Sequence, residues 1–213
     1  MINDVCGMRT TQEHWNTLYA TKKSEEVSWT QAIPKPSLDF VDYFKLRNSA
    51  SIIDIGGGDS KFVDCLIALG FQNITVLDIS ECALQRSQAR LGENAKRVKW
   101  IVSDVTDFRA DQSFDLWHDR ATFHFLTTEI DIEKYLGIAK KTLKSNGYLT
   151  IGTFSEKGPD QCSGLKVKKY SEESLQKQLE RGFKKLRCFT EDHFTPFKTV
   201  QPFLFCGFQR TGM

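Results

Sequence analysis

Three aspartates and a run of glycines carry the chemistry most open to reading in this chain. Asp54 lies in the apolar run Ser51-Ile52-Ile53-Asp54-Ile55, which leads into Gly56-Gly57-Gly58. Asp78 ends a second apolar run, Ile74-Thr75-Val76-Leu77-Asp78, and Ser103-Asp104 follows a third, Val98 to Val102. Glycines let the backbone bend sharply and let a ligand approach with no Cβ in the way. An acid at the end of the second strand of such a fold accepts both hydroxyls of a ribose. Asp104, one strand further on, stands where an adenine edge would lie and can accept its exocyclic amine.

The same residues argue against phosphates. A dinucleotide site wants Gly-x-Gly-x-x-Gly, and the last position here is Lys61. Asp54 and the loop acid Asp59 would repel a pyrophosphate, and the Lys-Ser/Thr pair of a phosphate-binding loop is missing. A ligand with a cationic or hydroxyl-rich end suits these acids better. Taken singly, each acid also has a structural role open to it: helix cap for Asp54 or Asp78, turn former for Asp104. Against that, a carboxylate at the mouth of a buried strand needs a partner. Ser80 is also the better cap after Asp78, and three such acids at successive strand ends would be three coincidences.

Together these residues resemble the class I S-adenosylmethionine-dependent methyltransferases. The family signature Asp/Glu-x-Gly-x-Gly reads here as Asp54-Ile55-Gly56-Gly57-Gly58, its ribose acid as Asp78 and its adenine-side acid as Asp104. The resemblance runs from about Ser49 to Thr153 and departs at Ser60, where many members have a further glycine. It implies an α/β fold: a doubly wound, mostly parallel seven-stranded sheet of order 3-2-1-4-5-7-6 with the last strand antiparallel. It implies S-adenosyl-L-methionine as cofactor, held by Asp54, Gly56, Gly57, Gly58, Asp78, Ile79, Ser103, Asp104 and Val105. Trp15…Tyr19 followed by Val27-Ser28-Trp29 is similar to the lead-in of small single-domain members. That likeness puts Tyr19 and Trp29 beside the sulfonium, where aromatic faces attract positive charge, and leaves Trp15 to core packing.

Methyl transfer from a sulfonium is an in-line displacement. Positioning the nucleophile in a dry pocket supplies much of the acceleration, and a base is needed only if the acceptor must lose a proton. The residues after the fourth strand, Trp117 to Phe125, stand where the acceptor comes. His118, as base or aromatic wall, and Asp119 are the catalytic candidates. Arg120 and His124 read as structural, Arg120 as an ion-pair partner of Asp119. The run Asp119-Arg120-Ala121-Thr122-Phe123 is a relaxed version of the Asp-Lys-Gly-Thr-Phe of lysine methyltransferases that modify elongation factors. The expected acceptor is therefore a small molecule or a protein lysine. The segment Phe154 to Lys166 should overhang it, with Cys162 incidental, and His193, Thr199 and Gln201 should help close the pocket. A non-catalytic S-adenosylmethionine-binding protein of the same fold is the alternative.

The elements that must hold these residues follow from periodicity. Strands alternating with helices predict parallel βαβ units: strands at 51–55, 74–78, 98–102, 114–118 and 148–152, and helices at 61–69, 81–91 and 130–143. Helices at 11–20 and 38–46, the second capped by Ser37, precede the first strand and read as a lid. After a turn at Ser145-Asn146-Gly147 and a helix at 171–179, the runs Phe183–Phe189 and Val200–Phe208 predict a closing hairpin. The 213 residues suit one domain, with 1–48 as the helical lid and 154–213 as the acceptor-side part. A net charge of +2 gives no footprint for nucleic acid or membrane, and no run nears the roughly 18 apolar residues of a membrane span. The six cysteines show no Cys-x-x-Cys spacing, so no metal is expected. Cys65, Cys188 and Cys206 read as separate core residues, and the start lacks the apolar core of a signal peptide. A cytoplasmic monomer whose only partner is its acceptor is expected.

Overall fold

The structure is a computed structural model that describes residues 3–212, with side chains from Thr11 onward. It opens with helices α1 (Asn3–Thr21) and α2 (Lys35–Tyr43). Strand β1 (Ser51–Ile55), helix α3 (Phe62–Ala68), strand β2 (Asn73–Asp78), helix α4 (Glu81–Leu91) and strand β3 (Val98–Val102) follow. Strand β4 (Phe114–Arg120), helix α5 (Glu129–Thr142) and strand β5 (Leu143–Phe154) complete the alternating part. A two-residue ribbon, β6 (Gln161–Cys162) with β7 (Leu165–Lys166), then helix α6 (Glu172–Leu179) and the hairpin β8 (Phe183–Phe194) and β9 (Val200–Arg210) close the chain order.

The large sheet has the order β3-β2-β1-β4-β5-β9-β8, parallel from β3 to β5 and antiparallel from β5 to β9. That is the expected topology, with β9 as the antiparallel strand. The chain order reverses direction between β1 and β4, which are hydrogen-bonded neighbours, and a crevice outside the carboxyl ends of the strands opens at such a point.

Alternation along the strands sorts the core into two layers. On one face Ile53, Ile55, Trp117, Leu149 and Ile151 pack under α5 and α6, through Ile132, Tyr135, Leu175 and Leu179. On the other, Ile52, Val76, Leu116 and Phe205 pack under α2, α3 and α4, through Phe40, Phe62, Leu66 and Leu84. Ile52, Ile53 and Ile55 are fully buried, and truncating a side chain of this kind costs about 2–5 kcal/mol. Such burial fixes the end of β1, and with it the glycine turn.

Three expectations need correcting. Ser37 does not cap α2, which starts two residues earlier at Lys35; its hydroxyl is buried and bonded to His118. The turn at 145–147 lies inside β5, where the register slips between Phe114 and Leu116 and Asn146 takes a positive φ. Cys188 and Cys206 are not separate core residues: they face each other across β8 and β9 and form a disulfide. That bond removes one basis for expecting a reducing compartment. Among the described residues no helix is long and apolar enough to cross a membrane, and no cluster of His, Cys, Asp or Glu is placed to hold a metal ion.

Candidate active site

A cavity of about 560 Å³ opens at the carboxyl ends of β1 to β5, within the usual size range of small-molecule sites. Its floor includes Gly56, the first residue of the glycine turn; Gly57 and Gly58 do not line it. Gly56 and Gly58 have φ of +61° and +37°, which L side chains rarely adopt. Gly57 is required by crowding instead, since a Cβ there would fall 2.6 Å from both Asp54 Oδ2 and Val76 Cγ1. Helix α4 ties the turn down, with Ser87 Oγ donating to the Gly58 carbonyl at 2.7 Å.

Asp78 lies at the end of β2 and lines this cavity. The Ser80 amide donates to its Oδ1 at 2.8 Å, while Ser80 itself caps α4 through Ala83. Burial raises the Asp78 carboxyl to about 7, against the lowering effect of the surrounding backbone N–H groups. Oδ2 lies beside Gly58, with Tyr19 Oη next to it. Burial and the Asp78 charge together push the Tyr19 hydroxyl well above its usual range, so it stays a neutral hydrogen-bond donor. Ser103, Asp104 and Val105 line the wall beyond. Asp104 serves its turn as well, because Oδ1 accepts from the amide and hydroxyl of Thr106.

The roof comes from the N-terminal segment. Gln12 donates to the Ile79 carbonyl at 3.0 Å, and Asn16 accepts from Ser80, so α1 is docked on the loop after β2. Trp15, Tyr19 and Trp29 form an aromatic group over the cavity, with Phe125 joining from the loop after β4. Trp15, read from the sequence as core packing, lines the cavity.

Other sequence-stated site residues lie elsewhere. Asp54 does not line the cavity: it sits beneath Gly57, and His118 Nδ1 lies 2.7 Å from its Oδ1. His118 Nε2 lies 2.8 Å from Ser37 Oγ, and the imidazole packs on Phe62 at 4.1 Å. With Nδ1–H donating to Asp54, Nε2 accepts from the hydroxyl of Ser37. All three residues are at most 3% exposed, so no substrate reaches this chain of bonds. It braces the glycine turn from below. Asp119 is fully buried on the opposite face, accepting from the amides of Thr122 and Phe123 and from Tyr135 Oη. The catalytic reading of His118 and Asp119 is therefore corrected: His118 links the Asp54 and Ser37 side chains, Asp119 holds two amides and Tyr135, and neither lines the cavity. Asp59, invoked against phosphates, is paired with Arg90 and bonded to Ser24.

Arg120 is the residue that sequence reasoning missed. Adjacent strand residues point to opposite faces, so Arg120 cannot pair with Asp119. It turns to the cavity instead, beside Trp29, Phe154, Cys162, Gln201 and Phe203. The alternation along β4 was the signal that could have placed it. His193 stays behind this wall, bonded to the Ser28 carbonyl at 2.6 Å and near Gln31. His124 is buried against Phe154, where burial and the Arg120 charge push its imidazole down to about 3, so it is neutral.

A sequence model of the family described as "Methyltransferase domain" matches residues 46–199. Human EEF1A lysine methyltransferase 2 is 28% identical over 156 residues, which cover 66% of this chain and 66% of that protein. Nodulation protein S of Rhizobium tropici is 27% identical over 104 residues, covering 49% and 43% respectively. The chain spans less than two thirds of the length of these curated relatives. Among solved structures, the Burkholderia thailandensis 1,6-didemethyltoxoflavin-N1-methyltransferase, with bound 1,6-didemethyltoxoflavin and S-adenosylhomocysteine, superposes with a TM-score of 0.69 at 16% identity. That likeness covers 97% of this chain and 87% of the other.

Proposed function

The chain belongs to the methyltransferase-domain family, and from that premise we propose that it moves a methyl group from S-adenosylmethionine to an acceptor held over the ends of β4 and β5. One observation carries the reading: Gly56 of the glycine turn, Asp78 and Asp104 meet in a single cavity under an aromatic roof. The residues fit this cofactor. Asp78 offers a carboxylate to two ribose hydroxyls, Ser103 to Val105 form the wall for an adenine, and the roof rings offer π faces to a sulfonium. When bound, the cofactor supplies an activated methyl carbon, whose C–S bond breaks as the acceptor's bond to carbon forms.

The chain's own part is placement. The glycine turn, braced by Asp54, His118 and Ser37, fixes the floor. Within the N-terminal segment Trp15, Tyr19 and Trp29 form the lid while α2 packs on the sheet face, and Phe154, Cys162, Gln201 and Phe203 complete the acceptor side of the same domain. Among the described residues no side chain facing the cavity end at β4 and β5 is poised as a base: His118 and Asp119 face away, and His124 is sealed. An acceptor that is already nucleophilic fits this wall, its proton passing to solvent if it has one to lose.

Two acceptor classes stand behind the proposal. The small-molecule reading comes first, because Trp29, Phe154 and Phe203 give this end a mostly apolar wall. The protein-lysine reading draws on the Asp119 to Phe123 motif and on the similarity to an EEF1A lysine methyltransferase. Titration calorimetry with S-adenosylmethionine tests cofactor binding, and transfer of labelled methyl into a cell extract tests catalysis. Label in the small-molecule pool supports the first acceptor reading, and label in the protein pool supports the second. Binding without transfer would mean a non-catalytic binder.

A further inference from the structure

We propose that Arg120 is the specificity residue of the acceptor end, and that the methyl acceptor is a small molecule bearing a carboxylate or other oxyanion. This rests on the methyltransferase reading above and deepens it.

Arg120 makes one hydrogen bond to the protein, from Nη1 to the Trp29 carbonyl at 3.0 Å, and its guanidinium lies 5.2 Å from the centre of the Phe203 ring. Nε and Nη2 are sealed from solvent and have no hydrogen-bond partner among the described residues. No carboxylate among those residues comes within ion-pair distance. Arg120 as a whole is half-buried, but N–H groups cut off from solvent ordinarily have an acceptor, because water no longer satisfies them.

Asp54 and Glu191 favour the charged guanidinium from beyond ion-pair distance, and the nearer side chains supply no anion. His124 and His193 are both held to the neutral side by burial and by the Arg120 charge itself. Burial raises the Cys162 thiol, so it is no thiolate. The remaining walls are Trp29, Phe154, Phe203 and the uncharged Gln201. Burial lowers the guanidinium only to about 10, so it remains a cation at neutral pH. An anion beside it neutralises the charge and gives the idle N–H groups an acceptor, in the bidentate manner that suits arginine. A lysine ammonium brought to the same wall would meet a like charge.

The cofactor has a carboxylate of its own, so the source must be separated. Arg120 stands among side chains from β5, β6 and β9, at the end of a strand two places from β2 and three from β3 in the sheet, which points to the acceptor. The test uses the full chain and two substitutions, Arg120→Met, which keeps bulk without charge, and Arg120→Lys. A small-molecule cell extract is split on an anion exchanger, and labelled methyl transfer is measured into the retained, unretained and protein fractions. Binding of S-adenosylhomocysteine and of 5′-methylthioadenosine, which lacks the amino-acid part, is measured in parallel.

Expected are transfer into the retained fraction, a drop of roughly 30-fold or more in kcat/KM for Arg120→Met, partial rescue by Arg120→Lys, and S-adenosylhomocysteine affinity unchanged within about twofold. That unchanged affinity also shows that the variant has folded. Transfer into the unretained or protein fraction overturns the proposal. So does an Arg120→Met variant that loses S-adenosylhomocysteine but keeps methylthioadenosine, which would assign the arginine to the cofactor. No transfer into any fraction overturns the enzymatic reading itself, and this inference with it.

Discussion

Asp78 and Asp119 invite comparison, because the ends of β2 and β4 treat an acid in nearly the same way. Both are buried, and both are pushed upward by burial, Asp78 to about 7 and Asp119 to about 6. Both accept hydrogen bonds from backbone N–H groups just past the strand. They differ in outlook. Asp78 keeps an edge on the cavity, whereas Asp119 spends its second oxygen on Tyr135, whose hydroxyl accepts in turn from Trp117 Nε1. A perturbed carboxylate therefore does not mark a binding site by itself. What separates the two is whether any lone pair is left for a ligand.

The largest effect expected from this contrast is on stability. Asp119→Ala strands two amides and a hydroxyl in the core, and urea unfolding should show a loss of about 3–4 kcal/mol. Cofactor affinity per folded molecule should stay the same; a large affinity loss would break the distinction. Asp78→Ala should do the reverse, weakening S-adenosylhomocysteine by roughly 100-fold through the lost hydroxyl bonds while leaving the melting temperature unchanged or raised. Calorimetry showing less than about a fivefold loss would remove Asp78 from the site.

A smaller effect concerns pH. The folded carboxyl of Asp78 lies above its unfolded value of about 3.9. Its ionisation therefore opposes folding, and the ligand-free protein should lose stability as pH rises through about 4 to 7. Ribose hydroxyls donate to the ionised form, so cofactor affinity should rise with pH by at most about tenfold per unit and level off above about 7. The same titration on Asp78→Asn should be flat. The smallest expected change is at the roof: Trp15→Ala should weaken the cofactor by about threefold to tenfold, the scale of one aromatic contact, and fluorescence titration can follow it.

The sequence made some of this legible. β1, β2 and β3 could be read because apolar runs ending in Asp or Ser-Asp recur at helix-separated intervals, and the glycines mark the turn without any tertiary information. The reading of Arg120 as an ion-pair partner of Asp119 failed because a strand sends neighbouring side chains apart, a rule of geometry that outranks opposite charge. Ser37 was invisible as a brace, since His118 lies far along the chain and only the β1–β4 pairing brings Asp54 beside it. Cys188 and Cys206 become a pair only through the β8–β9 register. Local patterns sufficed wherever one element defines the role, and they failed wherever two distant elements share a bond.

The position of β9 has a consequence in time. It is the last of the strands in chain order, yet it lies in the sheet interior, between β5 and β8. During synthesis β8 emerges first and has no strand to pair with, and the edge of β5 stays open as well. Both edges wait for Val200–Arg210, which also carries Gln201 and Phe203 to the cavity wall. A chain halted before that strand would hold two unpaired edges, a known template for aggregation, and a cavity lacking one side. The acceptor end is thus completed only after the glycine turn and the three aspartates already exist.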